Sequence, residues 1–193
     1  TINAGGALSL GTQILAYGGD GATNSAGSGG AGGAGGTIAL TAANLLLGAS
    51  TSVDASGGWG GDGSDGSGAS GGTGGTILLT ADNAITISGS IVANGGDGGF
   101  GNFAELAADV FGGAGGKGGD ITIRPTGSAA LVSVDGWISS DGGYGGNASD
   151  YYLIPGGGGA GGQGGSILIA GTGAVVNVTG TLEATGGWGG TSQ

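Results

Sequence analysis

The chain has 193 residues, of which 58 are glycine, two are proline and none is cysteine, methionine or histidine. Thirteen acidic residues stand against two basic ones, Lys117 and Arg124, for a net charge of -11. These figures exclude collagen, which needs abundant proline, together with disulfide and histidine chemistry and any surface able to neutralise a phosphate backbone. No apolar run approaches the ~20 residues of a membrane-spanning helix.

The first four residues, TINA, read as a strand without a glycine tract before it, and Thr1 is expected at the start of that strand. The chain reads as a processed mature chain or part of a longer one. ALSLGTQILAYGG at 7–19 follows, with apolar residues alternating. A glycine tract at 29–37 then reads GGA GGA GGT and opens directly into a strand, TIALTA. The period changes there from three to two, which marks a corner between two kinds of backbone. The corner recurs at Thr76, Asp120 and Ser166.

Four more 13-residue segments match the first without gaps: LLGASTSVDASGG, AITISGSIVANGG, LVSVDGWISSDGG and VVNVTGTLEATGG. Each ends in a glycine pair, beginning at Gly18, Gly57, Gly95, Gly142 and Gly186. Stacking the segments predicts inward columns. The first is Leu8, Leu47, Ile85, Val132 and Val176; the second is Leu10, Ala49, Ile87, Val134 and Val178. The third is Ile14, Val53, Ile91, Ile138 and Leu182; the fourth is Ala16, Ala55, Ala93, Ser140 and Ala184. Alternation sends each set to one face of its strand. Recurrence places like residues over like, so stacked units share a core that none could bury alone.

The expected fold is therefore all-β: a parallel β-solenoid of about four to five coils of 39–47 residues, with polyglycine-II-like GGx tracts on one side. It forms one repeat domain over residues 1–193. The coils run approximately 1–36, 37–75, 76–119, 120–165 and 166–193, with loop inserts at 100–111 and 147–157. Each coil has an incoming tract before its strands and an outgoing tract after them. Strict triplet phase separates these tracts from flexible glycine linkers, which have no reason to hold phase. Ordering so many glycines is entropically costly and requires a dense network of backbone hydrogen bonds to offset it.

The pattern GGxGGxIxLxA…IxGxIxAxGGxGG resembles glycine-rich repeat regions of bacterial secreted and cell-surface β-solenoid proteins, including adhesin-like and filament-forming ones. The resemblance spans essentially the whole chain. It implies an exported, structural or adhesive role at the cell surface or outside the cell.

Candidate site residues are few. Residues 57–65, GGWGGDGSD, fit the first six positions of a calcium-binding nonapeptide but carry Ser64 where a large apolar residue is required. Asp62 and Asp65 offer oxygen ligands for a weak, exposed calcium site, with solvated loop carboxylates as the competing reading. Trp59, Tyr144 and Trp188 occupy the x position of outgoing tracts, where Asp20 and Asp97 stand in the other repeats. A shared register puts the three rings on one surface, suited to sugars or to a partner chain, or to sealing the tract from water. GNFAELAADVFGG at 101–113 has helical spacing at Phe103, Leu106, Ala107 and Val110. The insert at 147–159 carries an apolar tip, Tyr151, Tyr152, Leu153 and Ile154, of the kind that contacts a partner.

No catalytic constellation is expected, because Asp54, Asp135 and Glu183 lie near strand ends without sharing a column. The leading expectation is an extracellular structural subunit that polymerises head-to-tail with copies of itself. The alternative is an adhesin or binding module for a glycan, a host surface or ice. Neither reading requires a cofactor, nucleic acid or a membrane span.

Overall fold

A computed structural model describes residues 1–102, 110–149 and 156–192. The described residues contain strands and no helix. One parallel sheet is built from β1 (Ile2–Asn3), β2 (Ala7–Leu10), β4 (Thr37–Leu47), β6 (Thr76–Ile87), β8 (Asp120–Pro125), β9 (Leu131–Val134), β11 (Ser166–Ile169) and β12 (Val175–Val178). A second joins β3 (Gln13–Leu15), β5 (Ser52–Asp54), β7 (Ser90–Val92), β10 (Trp137–Ser139) and β13 (Thr181–Glu183). In the first sheet the order is β1-β4-β6-β8-β11, with β2 beside β4, β9 beside β6 and β12 beside β9; in the second it is β13-β10-β7-β5-β3. Each strand thus pairs with its counterpart about forty residues away in the chain.

The strands form where the sequence alternates. Along β4, Ile38, Leu40, Leu45 and Leu47 are buried, while Thr37, Asn44 and Leu46 face outward. Inward residues of both sheets merge into one core cluster that includes Leu45, Val53, Ile85, Ile91, Val132 and Ile138. The corner isoleucines stand side by side, Ile38 with Ile77, Ile77 with Ile121 and Ile121 with Ile167.

Two expected alignments are corrected. The first column runs Leu8, Leu45, Ile85, Val132 and Val176, so Leu45 replaces Leu47 in it; Leu47 moves to the second column beside Leu10 and Ile87, displacing Ala49. The gapless match assumed a turn of constant length. The second repeat instead holds two extra residues between its strands, in a turn closed by the Thr51 amide on the Gly48 carbonyl. A slip of two residues keeps every side chain on its own face, so alternation could not reveal it. Likewise Ile2 pairs with Leu40, so Thr1, just ahead of β1, falls level with Ala39, two residues past the corner at Thr37 where the repeat pattern would put it. The third and fourth columns stand as expected, linked by register and by ladder bonds such as Ala55 N–H to the Val92 carbonyl.

The glycine tracts carry no strand assignment, yet they are bonded at every turn. The first glycine of each outgoing triplet donates to the x-residue carbonyl of the next repeat: Gly57 to Asn94, Gly60 to Asp97 and Gly63 to Phe100. The second glycine donates across to a tract of the other kind: Gly58 to Gly33, Gly61 to Gly30 and Gly72 to Gly58. Contacts recurring every third residue are those of a three-residue-per-turn extended helix. The sequence GGx follows from this packing. A Cβ on Gly57 would meet the Gly72 carbonyl in the incoming layer, and one on Gly58 would meet the Gly19 carbonyl in the preceding repeat. Trp59, the third residue of that triplet, points to solvent.

Candidate functional site on the outgoing tracts

The outer edge of the outgoing tracts forms a grid. Its rows are Tyr17–Asp20–Thr23, Ser56–Trp59–Asp62, Asn94–Asp97–Phe100, Asp141–Tyr144–Asn147 and Thr185–Trp188–Thr191. The ladder bonds set the columns: Gly21 N–H reaches the Trp59 carbonyl, Gly60 the Asp97 carbonyl, Gly98 the Tyr144 carbonyl and Gly145 the Trp188 carbonyl. Trp59, Tyr144 and Trp188 therefore share one column, and each ring is more than half exposed. Tyr17 and Phe100 lie on the same face and are also more than half exposed. Both escaped the sequence reading, although triplet phase marks them: Tyr17 directly precedes a glycine pair, and Phe100 completes the triplet begun at Gly98.

The acidic residues of the grid serve the backbone. At x positions the amide points outward, and where the preceding row carries Asp or Asn, that side chain accepts it. Asp20 Oδ1 accepts the Trp59 amide, Asp62 Oδ1 the Phe100 amide, and Asp97 Oδ1 the Tyr144 amide, each at 2.8 Å. Asn147 accepts the Thr191 amide in the same way. This gives Asp62 a structural task. Asp65 is exposed, and no third acidic side chain joins the pair in a cluster among the described residues.

Asp141 is the most heavily bonded carboxylate of the face. Burial pushes its carboxyl up, but the Thr185 amide and the hydroxyls of Ser139 and Thr185 outweigh burial and hold it below the ordinary aspartate value. Those bonds are 2.6, 2.7 and 2.8 Å long. Asp54 caps the Ser56 amide, Asp135 accepts the Ser88 hydroxyl and Glu183 accepts the Trp137 indole N–H. Contrary to the sequence reading, Asp54 and Glu183 do share a column of the second sheet, but Val92 and Ser139 stand between them, three rungs from one to the other; Asp135 lies outside that column, in the turn before β10.

Between the Trp59 and Phe100 rings lies an open hollow of about 370 Å³, with Asp20, Asp62 and Asp97 at its margins and glycine as its floor. Two expectations fall on other segments. Tyr151, Tyr152, Leu153 and Ile154 lie outside the described residues, as do Phe103, Leu106 and Ala107 of the helix-like segment; Val110 beside them is buried.

No family model and no curated protein matches the chain. Among solved structures, the nine-helix polyproline type II bundle of the springtail antifreeze protein from Granisotoma rainieri is similar at 25% identity over 92% of this chain and 94% of that one, with a TM-score of 0.19. The crystal waters on that protein match the ice lattice. A TM-score of this size establishes no common fold.

Proposed function

We propose that the chain is a non-enzymatic, extracellular or cell-surface structural element: a β-solenoid of five stacked coils with polyglycine-II-like tracts, which extends head-to-tail with copies of itself into a fibre or stalk. One observation carries this reading. Val132, Val134 and Ile138 are 0% exposed in the fourth repeat, whereas their column partners in the fifth, Val176, Val178 and Leu182, are 46%, 39% and 41% exposed. At the opposite edge Leu8, Leu10 and Ile14 are only partly buried. The first and last repeats carry the same strand columns, which supports stacking of the first repeat of a second copy on the last repeat of the first. Burying open strand edges and apolar columns together favours association, and a heterologous contact that does not close grows into a filament.

Electron microscopy and sedimentation of the purified chain test this. Fibres are expected for the parent and not for the double variant Val176→Lys, Leu182→Lys, with an unchanged circular dichroism spectrum. A parent that stays monomeric at high concentration and forms no fibres ends the proposal.

A second reading, a binding module for a glycan, a host surface or ice, is favoured by the lattice-like order of the x side chains. On the incoming tracts these are exposed and mostly small, Ala31 and Ala34, Ser70 and Thr73, Ala114 and Ala160, with Lys117 and Gln163 continuing the column of Ala34 and Thr73. On the outgoing tracts they are aromatic and acidic. An ice-recrystallisation assay tests the first face and a glycan array the second; inactivity in both removes this reading.

A further inference from the structure

The aromatic residues of the outgoing face are placed regularly. Tyr17, Trp59 and Phe100 each lie one row and one column from the next. A triplet advances ~9 Å along a three-residue-per-turn helix and neighbouring chains lie ~4.8 Å apart, so the three positions fall on a straight diagonal in steps of about 10 Å. That step is about the length of two sugar rings in an extended chain. The hollow between Trp59 and Phe100 has a floor without side chains, so a ligand can approach the backbone closely. Asp20 and Asp62 are each held by an amide at Oδ1, which fixes the carboxylate and presents Oδ2 as an acceptor for hydroxyl groups. The face carries Asp20, Asp62, Asp97 and Asp141 and no cation among its described residues. Lys117 belongs to an incoming tract and Arg124 to β8. Anionic polymers are repelled from such a surface, whereas an uncharged, hydroxyl-rich polymer finds apolar ring faces and acceptors side by side.

We propose that this face binds an extended, uncharged β-1,4-linked polysaccharide laid along the diagonal Tyr17–Trp59–Phe100. The proposal rests on the second reading, of the face as a binding surface, and is independent of end-to-end stacking.

Calorimetric titration of the full chain with cellohexaose, maltohexaose and polygalacturonate tests it. Cellohexaose is expected to bind saturably. Trp59→Ala and Phe100→Ala should each weaken binding about tenfold, the loss of one ring contact. Trp59→Tyr should retain it, and Trp188→Ala, off the diagonal, should leave it unchanged. Equal losses on and off the diagonal overturn the proposed path, and preference for polygalacturonate overturns the charge argument. Trp59-dependent binding of maltohexaose alone overturns the extended ligand while leaving a glycan-binding face. Binding of no glycan, or a dimer that dissociates on Trp59→Ala, overturns both.

Discussion

The strand half and the glycine half of each repeat solve the same problem in opposite ways. Both must hold neighbouring repeats in register. The strands do so with side chains: in the middle of the first column Leu45, Ile85 and Val132 stack dry, each 0–1% exposed. The tracts do so without them. Removing the Cβ at two positions in three lets backbones approach until glycine amides reach carbonyls of the adjoining tracts. In the sheets an added or deleted methyl group is a matter of packing volume. In the tracts an added methyl collides with a carbonyl that is itself fixed by bonds on either side.

Substitutions at matched sites sharpen this contrast. The largest effect is expected for Ile85→Ala, which opens a cavity between Leu45 and Val132 and should cost about 4 kcal/mol in chemical denaturation. In the tracts Gly72→Ala should cost about 2 kcal/mol or more, since its Cβ would meet the Gly33 backbone. Thr73→Ala, one residue on and facing solvent, should change stability by less than about 0.5 kcal/mol. If the two tract variants melted alike, the tracts would be looser than the bonding pattern requires.

A smaller, acid-dependent effect joins the two halves at Asp141, whose carboxyl takes bonds from strand residue Ser139 and from Thr185. Its folded pKa is depressed. Its contribution is therefore present above the unfolded aspartate value of about 3.9 and is lost as pH falls through the folded one. Melting temperatures between pH 5 and pH 2 should fall less steeply for Asp141→Asn than for the parent. An unchanged slope would assign the acid sensitivity elsewhere. The smallest effect is local: Asp20→Ala should speed hydrogen exchange at the Trp59 amide and leave the Gly58 and Gly60 amides protected, because their acceptors are backbone carbonyls.

Much of the architecture was legible in the sequence because both halves repeat. Ile38, Ile77, Ile121 and Ile167 announced the corner, and Ile14, Val53, Ile91, Ile138 and Leu182 announced an inward column; the structure places each set together. The shift between Leu45 and Leu47 was not legible, because slack in an exposed turn leaves no trace in alternation. The candidate site was half legible. Trp59, Tyr144 and Trp188 were visible as one column, but the diagonal through Tyr17 and Phe100 needs two repeats side by side.

By itself the sequence determined which residues face inward and which triplet positions must lack a side chain, since period two and period three are properties of a single chain. Only the tertiary structure decided which repeat residue stands beside which, and so which carboxylate meets which amide and which rings share a line. Those relations span about forty residues and depend on turn lengths. A turn exposed to water can gain two residues at little cost, and the core beneath it still closes.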